Sequence, residues 1–251
     1  PDEDTAVAQF GKEDKYFGVC TLMVTMPGLP MFGHGQVEGF EEKYGMEYTR
    51  AYKQETPDLG LEARHNREIF PLLHKRYVFA DSENFRLYDL FAESGEVNEN
   101  VFAYTNGAGN ERAFVLYNNF WEETWGWIKG SAGYIVKEDG AKVRRSTTLA
   151  EALGLHRDYH HYCIMREQRT GLWFIRNSGE LHEQGMFVHL GGYQTQVFTD
   201  IYEAADNEYA HYAQLADSLG GAGTPDINRA LIEVSLKPLH DAFARPLNSG
   251  T

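Results

Sequence analysis

The chain has 251 residues, with 23 Lys and Arg against 37 Asp and Glu, so its formal net charge is −14. Its 42% hydrophobic and 14% aromatic residues are typical of a packed globular protein and exclude an intrinsically disordered chain. The acidic balance argues against nucleic acid and against an anionic membrane surface as partners, because both require a basic footprint. Cys20 and Cys163 both lie in apolar stretches, which predicts buried free thiols and not a disulfide.

No targeting or membrane segment is evident in the sequence. No apolar run approaches the roughly 18 residues that a membrane span needs. The chain begins with Pro1 and has neither the charged nor the apolar region of a signal peptide, and it contains no Asn-x-Ser/Thr acceptor. We therefore expect a cytoplasmic protein, and we expect the first residue to mark either a processed chain or a piece of a longer one.

The first 80 residues are predicted to be mainly helical. Residues 12–26 are apolar after a charged first turn, which predicts a buried helix. Residues 31–32 predict a very short strand, and the glycine-rich loop 33–39 follows it directly. Residues 58–78 carry an apolar stripe at helical spacing, and Pro71 predicts a kink or a helix in two parts. This order of elements is typical of an α/β unit.

After residue 81 the sequence changes to short aromatic and β-branched runs separated by turn residues. These runs predict strands at 85–90, 101–105, 112–118, 143–147, 159–166, 172–177, 186–190 and 194–204. Many short strands at this spacing are typical of an antiparallel β-sandwich. The tail is predicted to be helical again, with one helix ending at Gly220 and another beginning near Pro225. The domain boundaries are therefore predicted near residues 80 and 203.

Two polar stretches are candidates for binding or catalysis. Residues 1–4 (Pro-Asp-Glu-Asp) are expected to form a solvated acidic terminus. The alternative is a catalytic role, which requires a further carboxylate nearby because glycosyl chemistry needs two. The loop 33–39 follows a predicted strand, where parallel α/β folds bind their ligands, and its polar side chains are His34, Gln36 and Glu38. A structural turn with glycines at positive φ is the alternative interpretation of this loop.

One local group of residues has the right types for a soft metal ion: His156, His160, His161 and Cys163. On a strand, His161 and Cys163 share one face while His160 opposes them, so these residues cannot converge on one ion. A hydrogen-bonded strand histidine is favoured over a zinc site, and no metal site is predicted.

An aromatic cluster follows the third predicted strand, with Tyr117, Phe120, Trp121, Trp125 and Trp127. Flat rings of this kind stack on sugars, but they also fill sandwich cores, and core is expected for most of them. The sequence signatures of serine hydrolases, phosphate loops and zinc metalloproteases are absent.

Four stretches carry a resemblance to a known family. They are residues 1–3 (Pro-Asp-Glu), 25–36 (TMPGLPMFGHGQ), 65–76 (beginning His-Asn-Arg-Glu-Ile), and the paired runs 101–104 and 114–119. In this order they resemble the end of the catalytic barrel and the first sandwich strands of the α-amylase family of glycoside hydrolases. Residues 1–3 are similar to the end of the family's fourth conserved region, with Pro1 where the family has His. The resemblance covers about half of the chain.

The resemblance and the predicted elements together give an α+β fold in three parts. The resemblance implies that residues 1–80 are the terminal βα units of a (β/α)8 barrel and that an antiparallel β-sandwich follows at residues 81–203. The helical tail at residues 204–251 comes from the predicted elements alone and is not part of the resemblance. Asp2 would be the catalytic carboxylate that binds sugar hydroxyls and stabilises the transition state. The substrate-binding residues would be Glu3, His34, Gln36 and Glu38.

The resemblance also implies what this chain lacks. The family's nucleophile and acid/base lie on earlier barrel strands, so a retaining hydrolase of α-glucosidic linkages would need the remainder of the barrel, in the same or another chain. Its ligand would be an α-glucan or oligosaccharide. No cofactor is implied, and calcium is left open; neither nucleic acid nor a membrane is expected as a partner.

Two further hypotheses come from other functional classes. The first is a non-catalytic carbohydrate-binding or assembly module that uses the aromatic cluster as a sugar platform. The second is a sandwich that only braces a barrel. The loop 33–38 separates these hypotheses, because an enzyme needs this loop to face a cavity next to Asp2, whereas a module has no use for that geometry.

Overall fold

The computed structural model describes residues 4–43 and 50–248, with side chains described as far as residue 239. This part of the chain is a mixed fold of helices and antiparallel sheets. None of its helices is long and apolar enough to span a bilayer.

Five helices form the N-terminal layer. They are α1 (Ala6–Phe10), α2 (Asp14–Thr25), α3 (Leu59–Glu68), α4 (Phe70–His74) and α5 (Arg76–Phe79). The predicted helix at 12–26 is confirmed by α2. The predicted break near Pro71 is also confirmed, because this proline stands in the first turn of α4, where its missing N–H has no helical partner to lose.

The strand predicted at residues 31–32 does not form. Met31 is 74% exposed, and its segment has irregular backbone. A strand exists only through pairing with a neighbour, and no strand of the described ranges lies beside this segment. The wider prediction, that residues 1–80 are barrel units, stays a prediction.

The strands of residues 4–43 and 50–248 form one large sheet and two small ones. They are β1 (Arg86–Tyr88), β2 (Val101–Ala108), β3 (Glu111–Asn118), β4 (Thr124–Ile128), β5 (Tyr134–Glu138), β6 (Ala141–Arg145), β7 (His161–Glu167), β8 (Trp173–Asn177), β9 (Met186–Leu190) and β10 (Thr195–Ala205). The large sheet has the order β1-β2-β3-β10-β7-β8, while β4 pairs with β9 and β5 pairs with β6. The predicted antiparallel pairing is confirmed in all three sheets.

Four more helices complete the described fold. They are α6 (Leu149–Ala152), α7 (Ser178–Glu183), α8 (His211–Leu219) and α9 (Ile227–Asn248). The predicted end of α8 is confirmed at Gly220, whose φ of +52° gives the left-handed cap that favours glycine.

Alternate residues of the large sheet belong to cores on its two faces. Phe114 and Leu116 pack on one side with β4, β9, α6 and α7. Val115 and Val197 pack on the other side under α1–α5. The same side of β7 and β8 is covered by α8 and α9. The period-two alternation of each strand thus positions the helical layer, and with it the loop that follows α2.

Candidate functional site

A cavity of about 360 Å³ lies between the first described residues and the loop that follows α2. Its walls come from residues 4–10 on one side and 33–43 on the other. The polar side chains that line it are those of Asp4, Thr5, Gln9, His34, Gln36, Glu42 and Lys43. A volume near 300 Å³ is at the lower end of ligand pockets, so the cavity suits a small polar ligand.

The loop turns sharply beneath this cavity because of two glycines. Gly35 and Gly39 have φ values of +69° and +79°, which L side chains rarely adopt. The Phe40 N–H donates to the Gly35 carbonyl at 2.8 Å and closes the turn. A Cβ added to Gly35 would lie 2.6 Å from the Phe40 ring, so the turn also depends on the absence of a side chain there. The interpretation of the loop as a structured turn with glycines at positive φ is therefore confirmed, whereas ligand binding by its polar side chains stays a prediction.

The Gln36 side chain makes one hydrogen bond within the loop and one to α2. Its side-chain oxygen accepts from the Gly33 N–H at 2.9 Å, and its Nε2 donates to the Cys20 sulfur at 3.7 Å. Cys20 is buried and free, as its apolar surroundings predict, and burial raises the pKa of its thiol to about 11. The thiol therefore stays protonated at neutral pH and serves as a packing and hydrogen-bonding group.

Buried polar groups of α2 and α3 contact the backbone of the loop at Gln36. The Tyr16 hydroxyl lies 2.9 Å from His65 Nε2 and 3.2 Å from the Gln36 carbonyl oxygen. His65 Nδ1 lies 2.9 Å from the Leu61 carbonyl, which can only accept, so Nδ1 carries the proton and Nε2 accepts from Tyr16. Burial lowers the pKa of His65, and the imidazole is therefore neutral at pH 7.

Two carboxylates hold the segment that forms the far wall. The Glu42 carboxylate accepts from the Tyr52 and Lys53 N–H groups at 2.6 and 2.8 Å. The Glu55 carboxylate accepts in return from the Glu41 and Glu42 N–H groups at 2.7 and 3.1 Å. Hydrogen bonds to ionised groups are stronger than neutral ones, so this reciprocal pair fixes the position of Glu42 at the cavity.

The predicted site residues have different places in the structure. His34 and Gln36 line the cavity together. Glu38 is half-buried beside α3, where its carbonyl accepts from the Asp58 N–H at 2.9 Å, and it is not among the residues lining the cavity. Asp2 and Glu3 lie outside the described residues.

Sequence reasoning missed several residues of the cavity. Asp4 belongs to the acidic terminus that was singled out, yet Gln9 and Lys43 carried no signal. Gln9 donates from Nε2 to the Asp4 carbonyl at 3.0 Å and so ties the first described residue to α1. Such residues line a cavity only because two distant stretches meet, which no local pattern records.

The histidine group near β7 is held by carboxylates. His161 Nδ1 lies 2.8 Å from Asp158, and His156 Nδ1 bonds Glu203. The hydrogen bond that the His156 ring donates to the Glu203 carboxylate raises the pKa of His156, which is exposed. In the described ranges, no group of three or more His, Cys, Asp or Glu has a geometry that could hold a metal ion.

The aromatic cluster after β3 has a different environment from the one expected. Tyr117 is buried, but Phe120, Trp121, Trp125 and Trp127 are exposed, so the prediction that most of the cluster is core is wrong. Strand β4 belongs to the outer layer, and only its alternate residues face the core. The tryptophans occupy the other face.

Comparison with known proteins gives partial matches among solved structures. No protein-family model and no curated protein matches the chain. An α-amylase from Geobacillus thermoleovorans, solved with acarbose, matches 75% of this chain with a TM-score of 0.46 and 12% identity. A maltogenic α-amylase from Thermotoga neapolitana matches 80% of it with a TM-score of 0.49 and 17% identity. A debranching enzyme from Nostoc punctiforme matches 79% of it with a TM-score of 0.46 and 13% identity.

These matches are partial in both directions. The chain spans 33%, 39% and 34% of those three structures, about a third of their length. With TM-scores below 0.5, the matches do not assign the chain to a family.

Proposed function

We propose that this chain is the C-terminal portion of an α-amylase-like glycoside hydrolase, and that the cavity lined by residues 4–10 and 33–43 belongs to its sugar-binding cleft. In this proposal residues 1–80 end the catalytic barrel, residues 81–203 form its C-terminal sandwich and residues 204–251 form a helical tail. The substrate is an α-glucan or oligosaccharide.

One observation carries the proposal. The loop with His34 and Gln36 faces a cavity whose opposite wall includes Asp4, two residues after Asp2. An enzyme needs this loop to lie next to the acidic terminus, whereas a non-catalytic module has no use for the juxtaposition. The cavity therefore favours the enzyme over the module.

Each proposed site residue has a role that fits its chemistry. The Asp2 carboxylate accepts hydrogen bonds from sugar hydroxyls and stabilises the positive charge of an oxocarbenium-like transition state. His34 is a donor at the cavity wall, and Gln36 positions the loop through its own bonds. Glu3 and Glu38 would contact sugar units bound further along the cleft.

The reaction itself needs two carboxyl groups about 5–5.5 Å apart, one as nucleophile and one as acid/base. We propose that both come from earlier barrel strands, in the same or another polypeptide. The apolar surface around the loop is consistent with such a neighbour, because Leu29 is 86% exposed and Met31 stands beside it in the same segment. In this proposal the remainder of the barrel covers these two side chains.

The test is α-glucan hydrolysis by the polypeptide as its own cell makes it, with and without Asp2→Asn. Removing a carboxylate that stabilises developing charge is expected to lower kcat about 100- to 1,000-fold. Asp139→Asn, at an exposed hairpin turn with φ +49°, is the matched control and should leave kcat unchanged.

The 251-residue chain assayed alone is expected to show no turnover, because it lacks the two reacting carboxylates. Hydrolysis by this chain alone that Asp2→Asn abolishes would contradict that expectation. Full activity of Asp2→Asn in the natural polypeptide would contradict the role of Asp2.

A further inference from the structure

The outer face of the small sheet β4–β9 carries a row of exposed aromatic rings. Trp127 lies directly opposite Phe187 on one side and opposite Phe91 on the other, so the three side chains share one face. Their exposed fractions are 36%, 44% and 39%. Trp127 and Phe187 meet edge to face with ring centroids 5.4 Å apart.

A second pair on the same face borders a depression. Trp125 lies opposite His189, and it is 45% exposed. The depression beside it has a volume of about 330 Å³ and is lined by Trp125 together with Glu93, Ser94, Glu123 and Thr124. A hydrogen bond of 3.0 Å between His189 Nε2 and the Glu123 carboxylate fixes the orientation of Glu123. An aromatic wall beside carboxylates and hydroxyls provides stacking for a ring and acceptors for its hydroxyl groups.

The size of this face argues against a second copy of the chain as its occupant. Four aromatic side chains that are about two fifths exposed present roughly 250–400 Å² of apolar surface. A stable protein interface buries about 800 Å² on each partner. The face is therefore of a size for a smaller ligand.

The charge of this face excludes an anionic ligand. Glu93 and Glu123 line the depression, and the chain carries a net charge of −14, so phosphate-bearing partners are repelled. A neutral polysaccharide fits both the aromatic rings and the carboxylates of this face. Its hydroxyls donate to the carboxylates, and its apolar ring faces stack on the aromatic rings.

We propose that this face binds a neutral glucan chain, with one sugar ring against Trp125 and the following units across Trp127 and Phe187. The α-linkage of the glucan rests on the function proposed above, whereas the face itself does not. It lies on the β4–β9 side of the large sheet, and the cavity with His34 and Gln36 lies in the helical layer on the other side. Binding here therefore holds a polysaccharide close to the protein without using that cavity.

The test is a titration of the intact chain with maltoheptaose, followed by tryptophan fluorescence in a Trp121→Phe/Trp173→Phe background. Only Trp125 and Trp127 then remain as fluorophores, so saturable quenching reports this face directly. Trp125→Ala and Phe187→Ala are expected to weaken binding about fivefold to tenfold each, as measured by calorimetry in EDTA. Trp125→Phe keeps a ring and should retain most of the affinity.

Two controls make the result specific. Tyr209→Ala removes an aromatic ring that is also exposed but precedes α8, and it should leave the affinity unchanged. His34→Ala alters the cavity and should likewise leave the Trp125 signal unchanged. Thermal unfolding of each variant shows that the fold is retained.

The proposal is overturned by any of three results. The first is an absence of saturable binding of both maltoheptaose and cellohexaose; binding of cellohexaose alone would support the face and contradict only the α-linkage. The second is unchanged affinity in Trp125→Ala and Phe187→Ala. The third is a concentration-dependent dimer that Phe187→Ser abolishes, which would assign the face to a second copy. Binding that survives while α-glucan hydrolysis is absent from the natural polypeptide would contradict the proposed function and support this face.

Discussion

Gly35 connects the sequence of the loop to the shape of the cavity. Its φ of +69° and its contact with Phe40 leave no room for a side chain, so the turn that brings His34 and Gln36 to the cavity requires this residue. Gln36 then uses both of its polar side-chain atoms within the protein. At the scale of residues, the loop is specified by steric limits and a few hydrogen bonds.

We predict that Gly35→Ala lowers the free energy of unfolding more than Gly95→Ala does. Both glycines have positive φ, +69° and +83°, and an L side chain in this region costs about 1–2 kcal/mol. At position 95 a Cβ meets nothing within 4 Å, whereas at position 35 it meets the Phe40 ring, which adds about 1–3 kcal/mol for overpacking. Urea denaturation of the two variants measures the difference, and equal losses would contradict the steric argument.

Helices α2 and α3 are joined by a buried polar contact between mainly apolar surfaces. Tyr16 from α2 meets His65 from α3 through the hydroxyl and Nε2, and their rings pack edge to face with centroids 5.5 Å apart. A buried, satisfied hydrogen bond fixes the register of two helices, because a shift would leave both groups unpaired. This register sets where the loop after α2 begins.

The same contact predicts a pH dependence of stability. Burial lowers the pKa of His65 below its usual value near 6.5. The hydrogen bond to the Leu61 carbonyl and the charges of Glu38 and Glu68 raise this pKa by less, and Arg64 adds to the lowering. Below pH 6.5 the unfolded chain therefore binds a proton that the folded chain does not, and stability falls as the pH falls. The loss is at most about 1.4 kcal/mol per pH unit.

Chemical denaturation between pH 7.5 and 5.5 measures this effect. His65→Gln should lose less stability over that range than the wild-type chain, because it removes the titrating group. His74→Gln, on the exposed side of α4, is the control and should keep the wild-type slope. A His65→Gln slope equal to that of the wild-type chain would contradict the assignment.

The whole molecule has apolar surface on two separate sides of the large sheet. One lies around residues 29–31 in the helical layer, and the other is the aromatic face of β4–β9. We assign the first to the remainder of a barrel and the second to a glucan. The two surfaces are assigned differently for a structural reason. The surface at residues 29–31 lies next to the candidate cleft, whereas the aromatic face of β4–β9 has its own polar depression.

We expect the 251-residue chain on its own to self-associate through the surface near Leu29. Replacing Leu29 and Met31 by Ser removes two exposed apolar side chains, and association should weaken about 10- to 100-fold. Sedimentation velocity measures the change. Ile135→Ser removes an exposed apolar side chain on the separate hairpin β5–β6 and should have little effect. Equal effects at both places would show that the association is nonspecific.

Much of the secondary structure followed from local pattern. The helix α2, the break at Pro71, the cap at Gly220 and most strands of the large sheet depend on periodicity and on single special residues, which the chain records directly. The turn that carries His34 and Gln36 also followed, because both residues stand in a glycine-rich loop whose composition indicates a turn.

Tertiary structure alone decided the rest. Residues 31–32 have the composition of a strand, but no strand of the described part of the chain lies beside them. Trp125 and Trp127 have the composition of core but lie on an outer layer. Asp4 and His34 line one cavity although 30 positions separate them. Pairing, exposure and the meeting of distant segments are properties of the packed chain, since each depends on which surfaces lie opposite one another, and no local stretch of sequence contains that information.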